Sequence, residues 1–458
     1  MPAPPELIVT DTHQRGRLLR VLGVGFGLAV IIGNTIGAGI LRTPGEVAAN
    51  LPHLGFFFGV WIIGGLYALL GAFSIAELGT SLPRSGGQYV FARHALGDYA
   101  GFVAGWSDWL STCGSTAAVA LVIGEYAVAL FPALGAGREP LLASAVALGF
   151  ALLQWRGVAW GSNTQNLTSL LKAIAFGAFI VACFVFGGRD VGSETAAFSR
   201  TAAATTTALP FFVALILSLQ AVIYTYDGWT GVIYFSEEVR EPARDIPRAL
   251  FGGVLLIVGI YLLVNLALVY VLPLERLAGE KLAAGAAAQA VFGGHGETLI
   301  RALTILSMLS SINAYHLMAS RVLHAMSRDG LFAARAAQVN AGGTPAPALW
   351  LSALVSVLFI LFGETFGRVI AALAFFFVAT YTLSFISVFV LRRREPDRPR
   401  PYRAWGYPWT TALALAGSVA FLAGAIWSDT QNSLVALALL AISYPAFRLL
   451  RRKIGNGV

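Results

Sequence analysis

The sequence predicts an all-α membrane protein of twelve transmembrane helices, and three observations support this fold class. The 458 residues are 57% hydrophobic and only 12% charged, whereas soluble domains carry about 25% charged residues. The apolar residues come in long runs, and the mean hydropathy of the chain is +0.73. The first and the sixth runs are interrupted by glycine and polar residues, which predicts a repeat of two five-helix halves.

Each apolar run is interpreted as one membrane segment. A helix needs roughly 20 residues to cross the hydrocarbon core, and the longer runs are expected to tilt or to extend beyond it. Alanine and glycine are frequent in several runs, and such small residues let membrane helices approach closely. We therefore expect a compact bundle of segments 1 to 12, which cover 18–42, 55–80, 99–131, 141–158, 165–187, 208–236, 250–273, 296–325, 347–363, 368–391, 409–427 and 432–449.

The distribution of basic residues predicts the orientation. Lysine and arginine are enriched in cytoplasmic loops. With the N-terminus inside, twenty-two of the 31 Lys and Arg residues lie on the inner side and eight on the outer side, and Lys172 is the remaining one. We expect a multi-pass protein of the cell (inner) membrane with both termini cytoplasmic. The net charge of +8 is then a topology signal, and no nucleic acid partner is expected.

Sequence motifs for catalysis or metal binding are missing. Cys113 and Cys183 both lie in apolar segments, and the six histidines show no metal-ligand spacing. The patterns HExxH, CxxC and GxSxG do not occur. A membrane-embedded enzyme would need a nucleophile–base pair or metal ligands within the segments. We therefore expect no catalytic residues, no metal and no cofactor.

Segment 1 contains an interruption near the middle of the bilayer. The stretch "IIGNTIGAGILRTPG" covers residues 31–45 and places Gly33, Asn34, Thr35, Gly37 and Gly39 inside an otherwise apolar run. Glycine in a helix interior costs roughly 0.8–1 kcal/mol relative to alanine. The sequence therefore predicts that the helix is broken here.

Segment 6 contains the matching interruption, "YTYDGWTGVIYF", at residues 224–235. Segment 6 follows segment 1 by five crossings, so the two run in opposite directions and the repeats must be inverted. Interrupted segments in corresponding positions of two halves indicate a transporter binding site. The predicted units are a cytoplasmic tail at 1–17, a first repeat at 18–207, a second repeat at 208–391, and segments 11 and 12 with a cytoplasmic C-terminus at 392–458.

The broken helices predict the chemistry of the ligand. Unwound backbone is tolerated at membrane depth only where it lines a cavity or is buried in protein. A helix N-terminus attracts a carboxylate, and free carbonyls accept hydrogen bonds from an ammonium group. A ligand with both groups is an amino acid. The alternative is a glycine hinge or close helix packing, which explains one break more readily than two.

At these residues the chain resembles the amino acid–polyamine–organocation superfamily, and within it the L-type amino acid transporters and bacterial serine/threonine exchangers. The resemblance covers nearly the whole chain. It is carried by "IGNTIGAGIL", "YTYDGWTGVIYFSEEVREPARDIPRAL", "PRSGGQYVFARHALG" and "LSSINAYHLMASRVLHAMSRDGLF". It implies the LeuT-type fold, with five-plus-five inverted repeats and broken helices 1 and 6.

The resemblance also implies the site residues. The amides of Gly37, Ala38 and Gly39 would hold the substrate carboxylate. Tyr224 would be an aromatic gate beside the substrate; its alternative is an aromatic that faces lipid or core. The carbonyls expected to meet the substrate amine belong to Thr35, Ile36, Tyr224, Thr225 and Asp227.

Lys172 is the basic residue within a segment, and it has two interpretations. A lysine at mid-membrane costs about 2.5–3.5 kcal/mol on insertion scales, but this one lies close enough to the cytoplasmic end to reach the interface by snorkelling. The resemblance implies instead that Lys172 occupies the position where related transporters bind sodium. It would contact backbone near Gly33 and a hydroxyl of Ser310 or Ser311, and transport would not depend on sodium.

Asp227 and the loop after segment 3 limit the function. Asp227 could recognise a cationic side chain, but aspartate is also a ready local cap for freed amides, and we favour that reading. The loop "LFPALGAGREP" lacks the cysteine that links human-type L transporters to a glycoprotein, so no covalent heavy chain is expected.

The predicted function is sodium-independent transport of amino acids, neutral ones in the main reading, by exchange or proton symport. The alternative is cationic amino acid or polyamine transport on the same fold.

Overall fold

The computed structural model describes residues 18–135, 137–187, 210–362, 366–428 and 430–455, and these residues are almost entirely helical. The all-α prediction is therefore confirmed. The predicted tail at 1–17 lies outside the described residues. The helices are α1 Val24–Thr35, α2 Gly39–Asn50, α3 Leu54–Ser81, α4 Gln88–Leu96, α5 Asp98–Leu130, α6 Glu139–Trp155, α7 Val158–Phe186, α8 Phe211–Tyr226, α9 Pro242–Val271, α10 Leu274–Leu277, α11 Ala283–Phe292, α12 Gly296–Arg328, α13 Ala346–Phe362, α14 Phe366–Arg394, α15 Trp409–Ser428 and α16 Thr430–Gly455.

Every predicted segment coincides with a helix or a broken helix. Within the described ranges, eight spans are long and apolar enough to cross a membrane, and the bent pair α1 and α2 makes a ninth. Shorter apolar helices occur at Glu139–Trp155, Ala346–Phe362 and Ala436–Arg448. The chain is a multi-pass membrane protein. The total of twelve crossings and the boundaries of the two repeats stay predictions.

Two helices begin earlier than the apolar pattern predicts. The helix of segment 5 begins at Val158, and the helix of segment 7 begins at Pro242 and continues without a break to Val271. Proline is well suited to the first turn of a helix because its missing N–H has no helical partner there. Hydropathy therefore marks the membrane-embedded part of these helices and misses their first turns.

The broken segments lie at the centre of the bundle. Helix α1 packs against α7, α9 and α12, while α8 packs against α2 and α3. Helices α5 and α12, each 33 residues long, pack along each other beside them. One end of the bundle carries α4 and residues 236–241, 329–345 and 395–408. We call this end the basic face, and the charge distribution predicts that it is cytoplasmic.

Candidate functional site at the two helix breaks

The first break separates α1 from α2, which are bent by 47° relative to each other. Helix α1 ends at Thr35, and Ile36 is extended, with φ −77° and ψ 99°. The backbone amides of Gly37, Ala38 and Gly39 donate to no other backbone group in the described structure. The N-terminus of α2 therefore presents free donors at the break, as the glycine-rich stretch predicts.

Lys172 takes the place of the donors that a continuous helix would supply. Its ammonium donates to the carbonyl oxygens of Gly33 at 2.9 Å and Ile36 at 2.6 Å, and lies 3.4 Å from the Ser311 hydroxyl. In an unbroken helix these two carbonyls would accept from the amides four residues later. Lys172 thus leaves the Gly37 amide without its helical acceptor. Its side chain is fully buried, so the snorkelling reading is wrong.

A polar network between α1, α7 and α12 surrounds this lysine. Ser311 donates to the Gly33 carbonyl at 2.7 Å, and Ser307 donates to the Ile36 carbonyl at 2.9 Å. A side chain on Gly33 would place its Cβ 1.8 Å from the Gln165 amide nitrogen. Only glycine fits at this position, because the network from α7 and α12 fills the space.

The second break follows α8. Asp227 ends this helix, and Gly228 has φ +108°, a left-handed conformation that favours glycine. The Asp227 carboxylate accepts a hydrogen bond from the Tyr381 hydroxyl. The local capping of freed amides that the sequence interpretation favours for Asp227 stays a prediction.

The two breaks are joined by direct hydrogen bonds. The Asn34 side chain donates to the Gly228 carbonyl at 3.1 Å. The hydroxyls of Thr43 and Thr225 lie 2.8 Å apart. The Tyr261 hydroxyl contacts the carbonyls of Thr35 at 2.8 Å and Thr225 at 2.9 Å. Residues far apart in sequence therefore form one continuous site.

A cavity of about 250 Å³ lies between the breaks. Drug-sized ligand pockets are typically 300–1,000 Å³, so this cavity suits a smaller molecule. It is bounded by free amides on one side and by two helix C-termini on the other. Its lining consists of Asn34, Thr35, Gly37, Ala38, Gly39, Arg42, Thr43, Glu46, Ser115, Val119, Ala221, Tyr224, Thr225, Asp227, Ser311, Tyr315 and Phe377.

Most of the predicted substrate residues line this cavity. Ile36 does not: it is fully buried, and its carbonyl already accepts from Lys172 and Ser307. Its two lone pairs are thereby occupied, so the expected contact with a substrate amine is not supported. The Lys172 ammonium contacts the hydroxyl of Ser311, whereas the hydroxyl of Ser310 hydrogen-bonds with Gln165 and Ser169.

The sequence interpretation missed several polar residues of the site. Asn34, Tyr261 and Gln165 carry the contacts between elements, and Arg42 and Tyr315 line the cavity. A polar residue inside an apolar segment is the available signal, since such residues are costly in lipid and face the bundle interior. That signal does not say which partner each residue meets.

The basic face is closed beneath the cavity. Leu22 and Val239 form a parallel bridge in front of α1. The fully buried Arg321 side chain pairs with Glu238 at 2.9 Å. Asp329 accepts from Arg84 at 2.7 Å and pairs with Arg93 at 2.9 Å. The cavity instead continues along α2, past Arg42 and Glu46, toward the opposite end.

Comparison with known proteins agrees with this geometry. The family model described as amino acid permease matches residues 27–443. The serine/threonine exchanger SteT of Bacillus subtilis (strain 168) is 29% identical over 94% of this chain and 98% of that protein.

Mammalian transporters are also similar. The human large neutral amino acids transporter small subunit 2 is 27% identical over 94% of this chain and 80% of that protein. The mouse b(0,+)-type amino acid transporter 1 is 26% identical over 84% of this chain and 79% of that protein. Since the family model covers most of the sequence, including both helix breaks, this chain belongs to the amino acid permease family.

Proposed function

We propose that this permease carries small neutral amino acids across the cell membrane by alternating access around the two helix breaks. The observation that carries the proposal is the pairing of opposite helix ends across one cavity. The free amides at 37–39 form the N-terminus of α2, and the carbonyls of Thr35 and Thr225 lie at the C-termini of α1 and α8. An α-carboxylate and an α-ammonium group complement these two ends.

The side-chain preference follows from the cavity lining. Hydroxyls of Thr35, Thr43, Ser115, Thr225 and Ser311 surround a volume of about 250 Å³. Such a lining favours small polar or aliphatic side chains, and the similar exchanger is named for serine and threonine. Cationic amino acids remain the second candidate because Asp227 also lines the cavity. Its carboxylate already accepts a hydrogen bond from the Tyr381 hydroxyl, which argues against that role.

Sodium independence is proposed from the position of Lys172. Its ammonium supplies a positive charge to the carbonyls of Gly33 and Ile36, where a bound cation would otherwise be needed. We propose that Tyr224, which lines the cavity at the end of α8, is the aromatic gate over the substrate. Closing such a gate excludes water and commits the substrate.

The orientation of the basic face determines the side of the membrane to which the cavity opens. If the basic face is cytoplasmic and the membrane is the inner membrane, the cavity opens outward and the conformation is outward-facing. We also propose that the chain works without a covalent heavy chain. Its cysteines, Cys113 and Cys183, are both buried and free, so neither is placed to form a disulfide with another protein.

Ligand binding tests the proposed function. The purified protein is screened by thermal shift against the twenty amino acids and putrescine, with and without sodium. We expect small neutral amino acids to raise the melting temperature equally in sodium and choline salts. The N-acetyl derivative and the methyl ester of the best ligand should each fail, because each lacks one of the two charges. Stabilisation by putrescine or lysine alone would favour the cationic alternative, and binding of the N-acetyl derivative would contradict the proposed site.

A further inference from the structure

Tyr261 lies in the middle of α9 and reaches both breaks. Its side chain is fully buried. Its ring packs edge-on against Trp61, with 5.8 Å between ring centres, and at a tilt against Tyr226, with 4.9 Å between ring centres. Its hydroxyl contacts the carbonyl oxygens of Thr35 and Thr225, at 2.8 and 2.9 Å. One side chain from a third helix therefore connects the C-termini of both broken helices.

These two helix ends would otherwise repel each other. The C-terminus of a helix carries roughly half a negative charge, and the carbonyls of Thr35 and Thr225 point at the same hydroxyl. In continuous helices, Thr35 would accept from the Gly39 amide and Thr225 from the Trp229 amide. The Tyr261 hydroxyl lies within hydrogen-bond distance of both carbonyls, and its single proton can be donated to either one. At the first break this leaves the Gly39 amide free on the cavity side.

The spacing that Tyr261 imposes matches an ammonium group. The two carbonyl oxygens must lie within about 6 Å of each other, because both are in hydrogen-bond contact with one oxygen atom. A charged N–H donor bonds to oxygen at roughly 2.7–2.9 Å, so one ammonium nitrogen spans the same separation. Each carbonyl oxygen has two lone pairs, and the single hydroxyl proton occupies at most one of these four, so both oxygens stay available to an ammonium group.

We infer that Tyr261 is a positioning residue of the substrate site, which holds one carbonyl from each broken helix at the spacing that a substrate ammonium bridges. This inference rests on the proposed function. Tyr261 does not line the cavity and need not touch the substrate. It acts by organising the carbonyls of Thr35 and Thr225 before the substrate arrives, and such preorganisation raises affinity by lowering the cost of ordering the site.

The test removes the hydroxyl alone. Tyr261→Phe keeps the ring, and we expect about tenfold weaker binding of the best amino acid, equivalent to about 1.4 kcal/mol. In liposomes the KM should rise by a similar factor, with the maximal rate changed less than twofold. The analogue in which hydrogen replaces the α-amino group should compete equally weakly with wild type and variant, since it has no ammonium to bridge the carbonyls.

Two matched variants act as controls. Tyr226→Phe removes a buried hydroxyl that has no hydrogen-bond partner among the described residues, from a ring that packs against Tyr261. Tyr270→Phe makes the same change on the half-exposed side of α9. Both should bind the amino acid within twofold of wild type. An equal loss in Tyr226→Phe, or an equal loss for the analogue without the amine, would mean general packing damage and would overturn the inference.

Unchanged affinity in a folded Tyr261→Phe variant would also overturn it. If that variant is not recovered folded, Tyr261→4-aminophenylalanine decides the question, because it keeps a donor at the same place. Affinity within twofold of wild type would support the positioning role, and a tenfold loss despite the donor would refute it. Failure of the proposed function looks different: the wild-type protein itself would then bind no amino acid.

Discussion

At the scale of single residues, side-chain donors replace backbone amides as the hydrogen-bond partners of the carbonyls at the first break. Lys172, Ser307 and Ser311 donate to carbonyls of segment 1 that a continuous helix would satisfy with its own amides. An unsatisfied buried carbonyl costs about 1–3 kcal/mol, so these side chains stabilise the break. The amides released by the exchange are then available to bind a ligand.

The first prediction concerns Lys172. Lys172→Ala should reduce uptake into liposomes at least tenfold, because the charge at the carbonyls of Gly33 and Ile36 is lost. The fold should survive, since Ser307 and Ser311 still donate to those carbonyls. Lys172→Arg should also impair uptake, because the longer guanidinium has no space in a fully buried site. Wild-type uptake should be equal in sodium and choline buffers; strict sodium dependence would refute the role of Lys172.

The second prediction concerns the glycines at the start of α2. A Cβ on Gly37 would meet no atom within 4 Å, whereas a Cβ on Gly39 would lie 3.0 Å from the Thr225 side chain. Gly37→Val should therefore fill the cavity and abolish binding while the melting temperature changes little. Gly39→Val should abolish binding and also strain the contact between α2 and α8. Normal affinity in Gly37→Val would exclude these amides as the carboxylate site.

At the scale of the elements, the closure of the basic face joins α4 to the end of α12. Asp329 follows α12 and accepts from Arg84 at 2.7 Å and from Tyr89 at 3.0 Å, and it pairs with Arg93 at 2.9 Å. A single carboxylate thus holds three side chains from the connection between α3 and α4 and from α4 itself. Opening the site toward this face requires these contacts to separate.

The third prediction tests that closure. Asp329→Asn removes the charge and should increase the opening of the basic face. A reporter, Ser107→Cys, sits in a buried position whose native hydroxyl has no hydrogen-bond partner among the described residues. Its reaction rate with a maleimide should rise about three- to tenfold in the Asp329→Asn background. The control is Glu297→Gln, at the other end of α12, where an exposed carboxylate pairs with Arg301.

That control should leave the labelling rate unchanged. Equal rates in the Asp329→Asn and Glu297→Gln backgrounds would show that the Asp329 contacts do not hold the face closed. The two native cysteines, Cys113 and Cys183, are fully buried, so the reporter signal is expected to dominate.

At the scale of the whole molecule, the orientation in the membrane determines which side the cavity faces. In the proposed orientation, the closed basic face lies toward the cytoplasm and the cavity faces outward. Lys172 connects α7 to the first break through fixed hydrogen bonds. If Lys172 fills the cation position, as proposed, accumulation must be driven by a gradient of substrate or of protons.

The fourth prediction distinguishes transport by substrate exchange from transport by proton symport. Liposomes loaded with unlabelled substrate should take up labelled substrate at least tenfold faster than empty liposomes, if the chain works by exchange. Empty liposomes with an imposed inward proton gradient should then accumulate little substrate. Strong accumulation under the proton gradient, abolished by a protonophore, would contradict exchange and establish symport.

The sequence by itself determined the all-α membrane architecture and both helix breaks. It could do so because hydropathy, glycine placement and basic-residue bias are properties of short, contiguous stretches. The tertiary structure alone decided which donors satisfy which carbonyls. It buries Lys172, occupies the Ile36 carbonyl, and brings Tyr261 from α9 to carbonyls of Thr35 and Thr225. These contacts depend on how helices distant in the chain pack against one another, and no local pattern encodes that packing.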